Sequence, residues 1–128
     1  MYLIKITNLN QDLNNLFCGH MKSRVQITKR LEESKRRLEM LSVESEKDKY
    51  YKLSYKITIN TLEYILNENK TEVELNLELD KLKQKNIHLQ KEENILELLK
   101  NNITMRVYNW VLNDKNNVDI EWVPLKYK

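Results

Sequence analysis

A seven-residue repeat of apolar side chains constrains the fold more than any other feature of this 128-residue chain. It recurs six times without a slip, at Leu75, Leu82, Leu89, Leu96, Ile103 and Trp110. Seven residues are close to two turns of an α-helix, so the repeat places these side chains on one helix face. The chain is therefore expected to be mainly α, with long packed helices.

The start of this helix is marked by Thr71 and Glu74, which have the spacing of a capping box. Acidic residues follow in the first turns, where the helix dipole favours negative charge. The pattern predicts a helix over 71–112, with a break near 101–102, where Asn101 and Asn102 adjoin.

Two further helices are predicted upstream. Ile27, Leu31 and Leu38 form a narrow apolar stripe in a helix over about 9–45. The segment 47–67 is ambiguous, because residues 50–60 contain a strand-like alternation of apolar and polar residues as well as helical stripes. Helix is the favoured interpretation, since no turn signal interrupts the run.

Short alternating runs predict strands at 2–7 and 118–123. The expected fold is thus a single domain over 1–128. It is a mainly α long antiparallel helical hairpin or small coiled-coil bundle, with a minor β element formed by the N- and C-terminal segments.

The seam formed by the repeat has three interpretations. An autonomous coiled coil needs a second apolar position in each heptad, and only Leu79 and Val107 supply it here. Intramolecular helix packing is therefore favoured, and a homo-oligomeric coiled coil or a docking face for another protein are the alternatives. The six repeat residues are the candidate protein-interaction seam.

A basic face on the first long helix is the second candidate site. Its candidate contacts to phosphates or to an acidic partner are Lys22, Arg24, Lys29, Arg30, Arg36 and Arg37. Phosphate contact by such a face would make the protein nucleic-acid-binding. The plainer interpretation is a solvated face, or pairing with the acidic segment 71–80. A formal net charge of +3 is too small to decide the matter alone.

Scarce glycine and few metal ligands exclude several kinds of catalytic site. One Gly in the chain leaves no P-loop, dinucleotide fingerprint or nucleophile elbow. One Cys and two His cannot form a disulfide framework or a Cys/His zinc site. We therefore expect no enzyme activity, no catalytic residues, no cofactor and no metal.

The expected location is the cytoplasm. Residues 1–17 lack a signal-peptide pattern, and no apolar run is long enough to span a membrane, so no membrane association is expected. The single cysteine is compatible with a reducing compartment.

The source suggested by the composition is an AT-rich genome, because alanine is absent while Asn, Lys, Ile and Tyr are plentiful. The segment Lys47–Asn67 (KDKYYKLSYKITINTLEYILN) resembles helical-hairpin segments in small proteins of low-GC phages and mobile elements. That resemblance implies an accessory protein, located in the host cytoplasm if viral.

These observations favour a non-enzymatic protein–protein interaction module. It would inhibit or regulate a host factor, with a protein partner or a second copy of itself on its surface. The alternatives are a nucleic-acid-binding protein that uses the basic face, and a structural subunit of a larger assembly.

Overall fold

The computed structural model describes residues 21–41 and 46–113. Within these ranges the chain forms four helices and no strand: α1 (Arg24–Glu39), α2 (Glu46–Asn67), α3 (Glu72–Glu92) and α4 (Ile95–Leu112). The prediction of a mainly α fold is confirmed, and the helices contact one another as a bundle. The strands predicted at 2–7 and 118–123 lie outside the described residues.

The first helix is shorter than predicted. A continuous helix over about 9–45 is wrong within the described residues, because Met21 to Ser23 are not helical. Ser23 instead begins α1 with a capping box: the Gln26 N–H donates to the Ser23 hydroxyl, and the Ser23 N–H donates to the Gln26 side chain. The helix ends at Glu39.

The segment predicted as ambiguous is helical from Glu46 to Asn67, so the strand alternative does not occur there. Its end is closed by Asn69, which adopts a left-handed conformation with φ of 51°. The N–H groups of Asn69 and Lys70 then donate to the carbonyls of Leu66 and Ile65. These bonds satisfy carbonyls that the end of the helix leaves without a partner.

The break predicted at 101–102 lies elsewhere. α3 starts at the expected Thr71–Glu74 capping box and ends before Glu93, whose left-handed φ of 56° turns the chain. Asn94 then caps α4, because its side chain accepts from the Glu97 N–H. The repeat therefore spans two helices, and the step from Leu89 to Leu96 crosses a turn.

The four helices pack as two antiparallel hairpins, α1–α2 and α3–α4, which meet where α2 contacts α4. Hydrogen bonds give the register of the second hairpin: Tyr108 of α4 reaches Glu78 of α3, and Asn101 reaches Leu82. One buried core joins all four helices, and it consists of Ile27, Leu31, Leu62, Ile65, Leu75, Leu79, Val107, Tyr108, Trp110 and Val111.

α4, like α2, contacts two other helices of this arrangement. Asn101 and Tyr108 lie on the side that faces α3, whereas Ile103, Val107 and Val111 lie on the side that faces the other hairpin. A helix that is buried on two sides needs apolar residues around most of its circumference, and the sequence of α4 has them.

Glu93 offers a test of the observed turn. A left-handed conformation costs a non-glycine residue about 1 kcal/mol relative to glycine. The greater entropy of glycine in the unfolded chain cancels part of this gain, so we expect Glu93→Gly to raise the free energy of unfolding in urea by about 0.5 kcal/mol.

The matched control is Glu92→Gly, which removes the same charge from a helical position and should lower the free energy of unfolding by about 1 kcal/mol. Equal destabilisation by both substitutions would contradict the observed turn.

Candidate functional site

The residues of the predicted seam are mostly used within the chain. Leu75, Leu89, Ile103 and Trp110 are buried, and Leu82 packs against the core. Leu96 is the exception, with 54% of its surface exposed. A partner therefore cannot contact the seam as a whole unless the bundle opens, and the structure shows the intramolecular packing favoured from the sequence.

Lys22 does not belong to an exposed basic face. It is buried, its backbone N–H donates to the Val111 carbonyl at 2.7 Å, and its ammonium donates to the carbonyls of Trp110 and Asn113. A cation at the C-terminus of a helix satisfies carbonyls that have no helical partner and interacts favourably with the helix dipole. Lys22 thus joins the start of α1 to the end of α4.

Three more of the predicted cations contact groups of this chain. Arg24 donates to the Leu66 carbonyl and the Asn69 side chain at 3.3 and 3.2 Å, respectively. Arg37 forms an ion pair with Glu33 at 2.9 Å, and Arg30 lies 4.0 Å from the same carboxylate. Lys29 and Arg36 are exposed, and no ion pair within the described part of the chain involves either of them.

Trp110 has no ring face open for a stacked base. Only 7% of the residue is exposed, the Lys22 ammonium lies 4.5 Å from a ring centroid, and the Arg30 guanidinium carbon lies 5.0 Å from one. Cation–π contacts of this kind stabilise the packing of α1 on α4.

A polar cluster around Glu78 connects three elements close to the core. Its carboxylate accepts hydrogen bonds from the hydroxyls of Tyr64 and Tyr108, at 2.8 and 2.7 Å, and from the Lys70 ammonium at 2.9 Å. Tyr64 belongs to α2, Lys70 to the following loop and Tyr108 to α4. Glu78 therefore links both hairpins with charge-assisted hydrogen bonds.

This cluster changes the pKa values of its members. Burial raises the pKa of Glu78, but the bonds from Tyr108, Lys70 and Tyr64 outweigh burial and hold that pKa below its ordinary value. Burial, followed by its bond to Glu78, raises the pKa of Tyr108. The hydrogen bond to Glu78 also raises the pKa of Lys70. The charged Glu78 carboxylate, the charged Lys70 ammonium and a neutral Tyr108 are therefore the stable combination.

A group of aliphatic side chains lies at the turn between α3 and α4, away from the common core. We call it the tip patch, and it consists of Ile87, Ile95, Leu96, Leu98 and Leu99. None of the five is buried, and none packs against the core. Ile95 is 73% exposed and Ile87 is 49% exposed.

The backbone geometry brings these side chains together. The antiparallel register that pairs Tyr108 with Glu78 and Asn101 with Leu82 places Leu98 opposite Ile87. Helical spacing then sets Ile95 and Leu99 beside Leu98. Other exposed large apolar residues are distributed over α1, α2 and the first half of α3: Val25, Met40, Tyr64, Val73 and Leu77.

A polar layer separates the tip patch from the core. The Asn101 side chain is buried and donates to the Leu82 carbonyl at 2.9 Å and to the Asn86 side chain at 3.3 Å. Beyond this layer, Leu89 is the one buried apolar residue of the described hairpin.

Sequence reasoning missed the tip patch because it treated Leu96 as part of a seam on one helix that continued to the break expected near 101–102. The available signal was Asn94, a good N-cap residue followed three positions later by Glu97. That signal places a helix start at Ile95 and leaves four aliphatic residues in its first five positions.

No protein-family model, curated protein or solved structure matches this chain. Among residues 21–41 and 46–113, no three His, Cys, Asp or Glu side chains are grouped so that they could hold a metal ion. In the same ranges, no helix has the length and apolar character required to cross a membrane.

The Glu78 cluster predicts a specific pH dependence. Because the pKa of Glu78 is lowered in the folded protein, its carboxylate contributes stability that is complete above its ordinary pKa of 4.5 and is lost as the pH falls through the folded value. At pH 7, Glu78→Gln should lower the free energy of unfolding by about 2 kcal/mol. The difference from wild type should shrink as the pH falls below about 4.5 and through the lowered pKa of Glu78.

Asp80→Asn is the control, because it removes a carboxylate from an exposed position on the same helix. It should change the free energy of unfolding by less than about 0.5 kcal/mol, both at pH 7 and below about pH 4.5. A Glu78→Gln effect that stayed constant with pH would contradict the role of the charged carboxylate.

Proposed function

We propose that this protein is a non-enzymatic protein–protein interaction module that binds its partner through the tip patch. One observation carries the proposal: α4 begins with four aliphatic residues in five positions, and the fold buries none of them. Grouped exposed apolar side chains mark binding surfaces, whereas single exposed ones are ordinary.

The physical reason is the cost of leaving apolar surface in water. Each square ångström of apolar surface removed from water stabilises a complex by about 25 cal/mol, before the costs of association. Leu96 and Ile95 have more than half of their surface available for such a contact. A partner that covers them would remove from water the apolar surface that this bundle leaves exposed.

The surface differs from the seam inferred from the sequence. Leu96 belongs to both, but the other five seam residues are buried within this chain or packed on its core, so substitution there would test folding rather than binding. The further expectation of a phage or mobile-element regulator of a host factor rests on the sequence alone.

Nucleic-acid binding stays a prediction, and fewer cations support it than the six named from the sequence. Lys29 and Arg36 are the two exposed members of the basic face that neither an ion pair nor a side-chain hydrogen bond holds within the described residues. Glu32 is exposed between them on the same helix and reduces the positive charge of this surface.

A photo-crosslinking amino acid incorporated into this protein, in the cells that produce it naturally, tests the proposal. Placed at Leu96, it should give a discrete adduct of higher mass with a protein. Placed at Val25, which is 66% exposed on α1, it should give none, since this matched position lies outside the patch. Absence of any adduct from Leu96, with the variant folded, would contradict the proposed function.

A further inference from the structure

We propose that the partner at the tip patch is a second copy of this chain, with two α3–α4 hairpins packed as a four-helix bundle. This inference rests on the proposed function, because it names the partner of the same surface. Three observations support it: an apolar stripe that continues past the core, the charges around the patch, and the incomplete packing of the hairpin.

The apolar stripe runs the length of α4. Leu96, Leu99, Ile103 and Val107 are spaced by three, four and four residues, so they share one side of the helix. At the C-terminal end this side packs in the common core with Leu62 and Ile65 of α2. At the N-terminal end the same stripe is open, and another helix laid along it would continue packing of the same kind.

The charges near the patch suit contact between identical surfaces. Between Ile87 and Lys100 there are two lysines, Lys91 and Lys100, and three glutamates, Glu92, Glu93 and Glu97. A two-fold axis brings the same surface of each copy together, so a surface of one sign would repel itself. Lys100 pairs with Glu97 of its own chain at 3.4 Å, and Lys91 of one copy can lie against Glu92 or Glu93 of the other.

The outer face of α1 makes a useful contrast. The exposed apolar residues Val25 and Met40 lie at opposite ends of this helix and are not grouped. Lys29 and Arg36 are exposed between them, so two such faces would bring like charges together. Self-association is therefore favoured at the tip rather than at α1.

The part of the α3–α4 hairpin beyond Asn101 also lacks a core of its own. Among the described positions of this part, Leu89 of α3 is the single buried apolar residue. Most of the stability of a protein helix comes from packing of its apolar face, and the ends of α3 and α4 beyond Asn101 have little of that packing. A second hairpin would supply that packing and complete a four-helix bundle, in which antiparallel helices joined by short turns surround a common core.

The first test is the molar mass of the purified chain by light scattering as a function of concentration. The wild type should rise from 15.5 kDa towards twice that mass. Leu96→Glu should weaken association at least about tenfold, because it places charge in the apolar contact. A glutamate in the first turn of α4 is favoured by the helix dipole, so the helix itself is retained.

Val25→Glu is the matched control. It introduces the same charge at an exposed aliphatic residue of α1 and should leave the dissociation constant of the dimer unchanged. Circular dichroism of all variants should show wild-type helicity, which separates lost association from lost folding.

A charge exchange tests the identity of the partner. Lys91→Glu with Lys100→Glu makes the tip strongly acidic, and Glu92→Lys with Glu93→Lys makes it basic. Each double variant alone should stay at the monomer mass, because like charges face each other across the axis. An equimolar mixture should form a heterodimer, and added salt should weaken it.

In the light-scattering experiment, the inference is overturned by a wild type that stays monomeric up to about 1 mM while folded, or by a dimer that Leu96→Glu leaves intact. The crosslink at Leu96 separates this failure from that of the proposed function. An adduct of twice the chain mass supports self-association, and an adduct with a different protein overturns it while the interaction function stands. No adduct overturns both.

Discussion

The burial of α4 between two partners is the constraint on which the rest of the structure depends. One side of the helix contacts α3 through Asn101 and Tyr108, and the other side contributes Val107 and Val111 to the common core. α2 likewise contacts two helices, α1 and α4, so the helix contacts run in the order α1, α2, α4, α3. One side of α4 therefore packs within its own hairpin, and the two hairpins meet along the side that faces α2.

Polar contacts reinforce this helix at one end. Lys22 bonds the last carbonyls of α4, and Glu78 accepts from Tyr108 of α4 as well as from Tyr64 of α2. Partly buried charged hydrogen bonds are costly to leave unsatisfied, so they select one arrangement of the helices. The opposite end of α4 has no equivalent contacts to the other hairpin among the described residues, and there its aliphatic side chains are exposed.

Much of the helical content could be predicted from the sequence. The capping box at Thr71 and Glu74 gave the start of α3, because it depends on two neighbouring side chains and the local backbone. The turn at Glu93 could not be found in the same way, because a non-glycine residue adopts the left-handed conformation there. The seven-residue spacing from Leu89 to Leu96 is also kept across the turn, although the two residues lie on different helices.

Asn101 and Lys22 show why the candidate sites were harder to predict. Asn101 looked like a helix breaker, but a buried amide that finds a carbonyl and a second amide is stable inside a helix pair. Lys22 matched the seven-residue spacing of Lys29 and Arg36, yet its position before the first residue of α1 directs it to the end of α4. Both roles depend on contacts between residues distant in sequence.

Hydrogen exchange of backbone amides most directly tests whether the tip is open in one chain and covered in a pair. At low protein concentration, amides of residues 87–100 should exchange much faster than those of residues 60–66 in the core helix α2, because local opening costs least where few apolar contacts are buried. At high concentration the protection of residues 87–100 should rise, while that of 60–66 stays the same. Equal protection of both segments at low concentration, unchanged on concentration, would contradict a bundle whose packing ends at Asn101.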